Sequence, residues 1–286
     1  MEFDLKIYIA THKQFKEPKE EYFQPIHVGK SLHEDLGFLG DDTGDSISEK
    51  NPFYCELTAL YWAWKNDDSN FIGLCHYRRY FDIDNKTDRI NDIRFITQSE
   101  FDKEKFPKQK IAKYLSKHDI ILAKPKVYEL SIEQIYGYCH SIIDFDILTE
   151  TLHELYPEYS KSWQKVAYQN NKLVHYNMFI APKEIINDYC EWLFTLLFEV
   201  EKRVKISPYN YEKRVFGFMS ERLMHLYFVH HKFNVKYLPI LYIKDKDFKY
   251  KTPSKFFKFV EDKYKSLLFF LSNTLKYKMK NLLSRN

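Results

Sequence analysis

Five short apolar runs punctuate this chain, and the stretches between them carry helical periodicity, which confines it to an α/β architecture. The runs cover residues 6–10, 71–75, 119–123, 175–180 and 235–243, and each reads as a short buried strand. A helix after the first run has Asn51 as its cap and Pro52 in its first turn, with Leu57, Leu60, Tyr61 and Trp64 recurring on one face. Further helices are predicted over 111–117, about 132–155, about 159–169, 183–204 and 221–231. Residues 14–50 and 82–110 read as irregular. Strands alternating with helices imply a sandwich built on a mostly parallel sheet.

Several function classes are excluded early. Seven glycines in 286 residues leave little for a phosphate-cradling loop, and neither GxGxxG nor GxxxxGK[ST] occurs. Cys55, Cys75, Cys139 and Cys190 form no CxxC pair and have no zinc-finger spacing, so they read as reduced thiols. The amino terminus lacks the pattern of a signal peptide, and no run of 18 apolar residues is present. Charge is uneven. Residues 245–286 hold eleven Lys/Arg against four Asp/Glu, a local charge of +7, which leaves −3 for residues 1–244. An acidic body with no recognition motif argues against nucleic acid as a partner.

The sharpest local signal is the strand end Gly73-Leu74-Cys75-His76-Tyr77-Arg78-Arg79-Tyr80. Ligands of open α/β sheets collect at the carboxyl ends of strands, and planar guanidinium groups there suit a diphosphate. A solvated turn with a salt bridge is the plainer alternative. Asp41, Asp42 and Asp45 surround Gly44 in a loop that reads as a cation or sugar-hydroxyl site, or as an ordinary acidic turn. His12 and His175 stand at strand ends, and Asn177 adjoins the second. Glu221 reads as a general base or as a carboxylate favoured by a helix amino terminus. From Lys255 onward, Phe256, Val260, Tyr264, Leu267, Leu268, Leu271, Leu275, Met279 and Leu282 share one helical face amid many lysines. Such a basic amphipathic helix lies flat on anionic bilayers or packs on the body.

These strings resemble a bacterial family known as domain of unknown function 4422, encoded among capsular and exopolysaccharide genes and similar to GT-A-type glycosyltransferases. The matching stretches are Tyr8 to Lys13, Asp41 to Ser48, Asn51-Pro52 with Glu56 to Asn66, Ile72 to Phe81, and Tyr176 to Phe179, spanning roughly 6–240. The resemblance implies transfer of a sugar from a nucleotide donor, UDP-linked and with UDP-galactofuranose as the leading choice, to a lipid-linked glycan. It departs from the GT-A pattern at one place. Where many such enzymes carry a metal-holding Asp-x-Asp, this chain has His76-Tyr77-Arg78.

The expectation is therefore a GT-A-like, mixed and mostly parallel sheet flanked by helices over 1–244, plus a membrane-docking amphipathic helix over 245–286. Thr11, His12, Lys13, Tyr77, Arg78 and Arg79 are expected to bind the donor. Asp41, Asp42, Asp45, His76, Arg78 and Glu221 are the catalytic candidates. His175 and Asn177 are expected to face the acceptor. Either the arginines neutralise the diphosphate without metal, or Mn or Mg sits on the acidic loop at Asp42 and Asp45. The expected place is the inner face of the cell membrane, in capsule, exopolysaccharide or O-antigen synthesis by a hexosyltransferase of the EC 2.4 class. A non-catalytic glycan-binding or scaffolding protein of the same fold is the alternative.

Overall fold

The computed structural model describes residues 3–84, 92–244 and 254–283. Its centre is a sheet with the path β11-β7-β10-β4-β1-β2-β3. In chain order these are β1 (Leu5–Thr11), β2 (Phe23–His27), β3 (Leu39–Gly40), β4 (Phe71–His76), β7 (Ile120–Ala123), β10 (Phe179–Pro182) and β11 (Val235–Leu238). Smaller strands complete the set: β5 (Arg79–Phe81), β6 (Ile93–Ile96), the β8 (Lys126–Val127) and β9 (Lys172–Leu173) pair, and β12 (Ile240–Ile243). Neighbours along the central path are parallel except at β10, which runs antiparallel to both β4 and β7. The sheet is thus mixed and mostly parallel, as the alternating pattern implies.

β1 and β4 form because nearly every side chain in them is apolar and both faces are covered. The helices α1 (Asn51–Tyr54), α2 (Leu57–Asn66), α3 (Gln98–Phe101), α4 (Lys108–Leu115), α5 (Ile132–Cys139), α6 (Ile142–Leu155), α7 (Ser160–Trp163), α8 (Lys183–Glu201) and α9 (Val215–His230) surround the sheet. Along α8, Ile186, Tyr189, Leu193, Leu197 and Val200 fall at helical intervals and are buried. Each contributes roughly 1.5–3 kcal/mol by leaving water. Lys183 Nζ donates to the carbonyls of Ala63, Trp64 and Asp67, closing the carboxyl end of α2 with a cation where the helix dipole favours one.

Several boundaries differ from the sequence pattern. The first long helix is broken: α1 stops at Tyr54, and Cys55 adopts φ 55° before α2 begins. Asn51 is inside α1, and its Nδ2 bridges the break to the Cys55 carbonyl at 2.8 Å and the Thr58 hydroxyl at 3.3 Å. Residues 175–178 are irregular, and the strand starts only at Phe179. Helix α9 begins at Val215, so Glu221 lies in its second turn and the helix-terminus account of that residue fails. β2 falls within the segment read as irregular.

The tail forms α10 (Lys255–Leu283). Residues 245–253 and 284–286, with the side chains of Lys255 and 275–283, lie outside the described residues, and these include Leu275, Met279 and Leu282 of the expected stripe. The described part of α10 turns its polar side to the body. Lys258 is 6% exposed and pairs with Asp262 at 2.7 Å and Asp92 at 3.8 Å. Lys265 pairs with Glu261 at 2.6 Å and Glu129 at 3.5 Å. The apolar side points outward: Phe256, Val260, Tyr264, Leu267 and Leu271 are between 47% and 75% exposed.

Gly73 shows how tightly the central strands are seated. A Cβ there would stand 2.9 Å from Ile7 Cγ1 and 3.1 Å from the Phe179 carbonyl oxygen. Gly73→Ala is expected to destabilise the fold by about 1–3 kcal/mol through overpacking, read as a lowered thermal midpoint. An unchanged midpoint would show that β4 has room to move.

Candidate active site

A cavity of about 860 Å³ opens at the carboxyl ends of β1 and β4. That size suits a nucleotide sugar. Because β10 runs antiparallel, the residues just before it arrive at the same edge. His76, at the end of β4, donates from Nε2 to the Tyr176 carbonyl at 2.7 Å. Burial pulls the pKa of His76 below its ordinary value.

Three residues around this edge hold positive φ: Cys55 at 55°, Tyr176 at 77° and Asn177 at 51°. Each such conformation costs roughly 1–3 kcal/mol in a residue other than glycine. They are three of the four non-glycine residues with positive φ among the described residues, the fourth being Lys232 after α9. The strained turn is tied from two sides. Asn177 Nδ2 donates to Glu56 Oε1 at 2.8 Å, and the Tyr176 N–H donates to Glu221 Oε1 at 2.8 Å.

The lining is cationic. Arg79, Lys126, Lys213, Arg214 and Arg222 face it, against two carboxylates, Glu56 and Glu221. An anionic ligand is the partner such a lining selects. Arg79 lies between two rings, 4.8 Å from Tyr176 and 5.0 Å from Tyr242, and its buried Nε has no hydrogen-bond partner among the described residues. Glu221 is clamped. Burial alone would raise its pKa, but His175 Nδ1 at 3.1 Å, Arg222 Nη1 at 3.0 Å and the Tyr176 N–H outweigh burial and hold it at about 2. His175 in turn meets the Tyr128 hydroxyl through Nε2 at 2.5 Å.

The cavity gathers His12, His76, Tyr77, Arg79, His175 and Glu221 from the residues that the sequence singled out. Others stand elsewhere. Thr11 is fully buried, and its hydroxyl donates to the Lys13 carbonyl at 2.6 Å, which closes the strand end. Lys13 lies over the Tyr77 ring at 5.2 Å and is not part of the lining. Arg78 is also absent from the lining, with its guanidinium 5.7 Å from the Tyr77 ring. Asn177 is buried and supports Glu56 rather than facing the cavity.

The acidic loop is tied into the fold and lies outside the cavity. Asp41 is fully buried, and its carboxylate accepts the N–H groups of Gly29 at 2.8 Å and Lys30 at 3.1 Å and the Ser48 hydroxyl. Asp45 takes the Tyr61 hydroxyl at 3.0 Å, and Trp62 Nε1 donates to Thr43, which binds the loop to α2. Asp42 is exposed and outside the cavity. Among the described residues no three His, Cys, Asp or Glu side chains form a group able to hold a metal ion. At the strand end the lining places His76 and Glu56 with arginines, while Asp41, Asp42 and Asp45 lie outside it.

Sequence reasoning missed Glu56, Arg214 and Arg222 as site residues. Glu56 lies near a helix start, where a carboxylate needs no functional explanation. Arg214 and Arg222 come from a separate part of the chain and reach the site only through the placement of α9. The Cys55 thiol, which accepts from Arg214 Nε at 3.2 Å, is pushed up to about 12 by burial and then by Glu56, so it is not a nucleophile at neutral pH.

Glu221 generates a prediction about acid stability. A carboxylate held below its ordinary value stabilises the fold above about pH 4.5, and that stabilisation disappears as pH falls towards about 2. The shift corresponds to about 3 kcal/mol. Glu221→Gln should be less stable at pH 7 and should lose less on going from pH 5 to pH 2.5, measured by urea denaturation. A wild-type slope over that window would refute the clamp.

No curated protein sequence matches the chain. The apo structure of the bifunctional glycosyltransferase WbbM resembles it with a TM-score of 0.76 and 31% identity, covering 85% of this chain. The chain spans about half of that protein, 46% of its length. The fold is thus that of a GT-A-like glycosyltransferase. Residues 6–232 match the family described as Domain of unknown function (DUF4422), and the chain belongs to that family.

Proposed function

We propose that this chain is a glycosyltransferase that transfers a hexose from a UDP-sugar to a lipid-linked glycan without a metal ion. The observation that carries this reading is the cationic cavity at the ends of β1 and β4, on the fold of a known glycosyltransferase. Arg79 is the group best placed to meet the leaving diphosphate, and its position between Tyr176 and Tyr242 fixes the guanidinium in advance. His12 and Tyr77 line the same side, with their rings 5.4 Å apart, and contribute to the donor pocket.

Glu56 is the base in this reading. Among the described residues the one hydrogen bond to its carboxylate is from Asn177 to Oε1. Glu221 is a poor base because it is held at about 2 by three partners, so it serves to position His175 and Tyr176. The acceptor oxygen attacks the anomeric carbon and its proton passes to Glu56. The bond from that carbon to the diphosphate oxygen breaks, and the electron pair leaves with UDP. His175 faces the acceptor. UDP-galactofuranose is the first donor to test, and capsule, exopolysaccharide or O-antigen assembly is the proposed setting.

The partner surface is an anionic membrane, on its cytoplasmic face. Among the described residues no helix is long and apolar enough to cross a bilayer. The outward apolar side of α10 instead suits a helix lying in the plane of the headgroups.

A screen of UDP-sugars with purified protein, run with and without EDTA, tests the reading. One UDP-sugar should support release of UDP in the presence of a glycan acceptor, at the same rate with EDTA. Binding of glycan without binding of UDP or any UDP-sugar would favour the scaffolding alternative. Arg79→Ala should lower kcat/KM by roughly 100-fold or more, the scale for loss of one preorganised donor to a developing anion, and far more than Arg78→Ala does. Glu56→Gln should lower kcat by about 100-fold or more with little change in donor affinity, measured by titration of UDP. Equal rates in Arg79→Ala and wild type would remove the diphosphate role, and an active Glu56→Gln would remove the base.

A further inference from the structure

A second concave surface lies between α10 and the body, and nothing in the proposed chemistry uses it. This groove measures about 700 Å³. Buried Val127 and Val166 form its floor, and the Phe259 ring of α10 forms one wall. Lys165, Lys172 and Lys263 stand exposed in its lining, and half-buried Lys124 joins them. Among the described residues the carboxylate of the lining is Asp262, already paired with Lys258 at 2.7 Å.

Two features together point to the occupant. The groove combines an apolar floor with a ring of lysines, so its ligand carries both hydrocarbon and negative charge. Its helical wall is also the edge of the exposed apolar side of α10: Phe259 is 49% exposed, and Lys263 Nζ stands 5.6 Å from its ring. If that side lies on a bilayer, the mouth of the groove is at the headgroup level. We infer that the groove holds one anionic phospholipid, with its phosphate among Lys165, Lys172 and Lys263 and its first acyl carbons on Val127, Val166 and Phe259.

A lipid held there would fix the rotation of the protein on the membrane as well as its attachment. The groove and the catalytic cavity are separated by the short strand β8, since Lys126 lines the cavity while Val127 lines the groove. The seated lipid would therefore hold the cavity at a set height over the bilayer. This inference rests on the membrane-docking reading of α10, but its test requires neither a membrane nor sugar transfer.

The test is isothermal titration of the full chain with dihexanoyl phosphatidylglycerol below its micellar concentration, with dihexanoyl phosphatidylcholine and farnesyl phosphate as parallel ligands. Phosphatidylglycerol should bind saturably at one per chain. Lys165→Ala/Lys172→Ala should weaken it by about tenfold or more, the loss expected for two charge-assisted contacts. Lys103→Ala/Lys105→Ala, which removes equal charge from exposed positions elsewhere, should not. All four lysines are exposed, so folding is kept, and circular dichroism confirms it. No saturable binding, equal binding of phosphatidylcholine, or equal weakening in both double variants would overturn the site. Tighter binding of farnesyl phosphate would overturn the phospholipid assignment and give the groove to the acceptor lipid. Failure of sugar transfer with intact lipid binding would count against the enzymatic reading alone.

Discussion

β10 runs against β4 and β7, and the geometry of the cavity depends on that reversal. A parallel strand would bring its preceding loop to the opposite edge of the sheet. The antiparallel one delivers Tyr176 and Asn177 to the carboxyl end of β4, where the His76 ring meets the Tyr176 carbonyl at 2.7 Å. Once that contact is made, the turn must adopt two successive positive φ values. The energetic cost is met by hydrogen bonds that the same turn makes possible, from Asn177 to Glu56 and from Tyr176 to Glu221. The turn therefore links α2, β4 and α9 through a few polar contacts, and displacing it would disturb both carboxylates together.

Charge is arranged around this turn with a clear division of labour. Glu221 is enclosed by His175, Arg222 and a backbone N–H, so its negative charge is fixed in place and balances the nearby cations. The Glu56 carboxylate carries fewer contacts among the described residues, with one hydrogen bond from Asn177. Arg79 faces two aromatic rings, and among the described residues it forms no ion pair with a carboxylate. In the proposed reading, preset cations in the cavity take the electrostatic role that a metal on paired aspartates has in other enzymes.

Much of the fold was legible because continuous apolar runs report buried strands directly, as at β1, β4 and β7. β2 was hidden because Gln24, Pro25 and His27 interrupt its pattern, although Ile26 is fully buried between β1 and β3. The site was legible only in part. An apolar strand ending in polar residues located the cavity edge, but the chain turns at Tyr77-Arg78 between β4 and β5, and of the two arginines Arg79, at the start of β5, entered the lining. The acidic loop shows a limit of sequence for a physical reason: a carboxylate that accepts backbone N–H groups, as Asp41 does, looks the same in sequence as one that awaits a ligand. Glu56 was obscured by the break at Cys55, since positive φ in a residue other than glycine leaves no periodic trace.

The most direct test is a structure of the chain with UDP bound. The diphosphate should lie within hydrogen-bonding distance of Arg79 in the cavity at the ends of β1 and β4, with its charge met by protein cations. A diphosphate bridged through a metal to Asp42 or Asp45, or bound away from Arg79, would contradict the account.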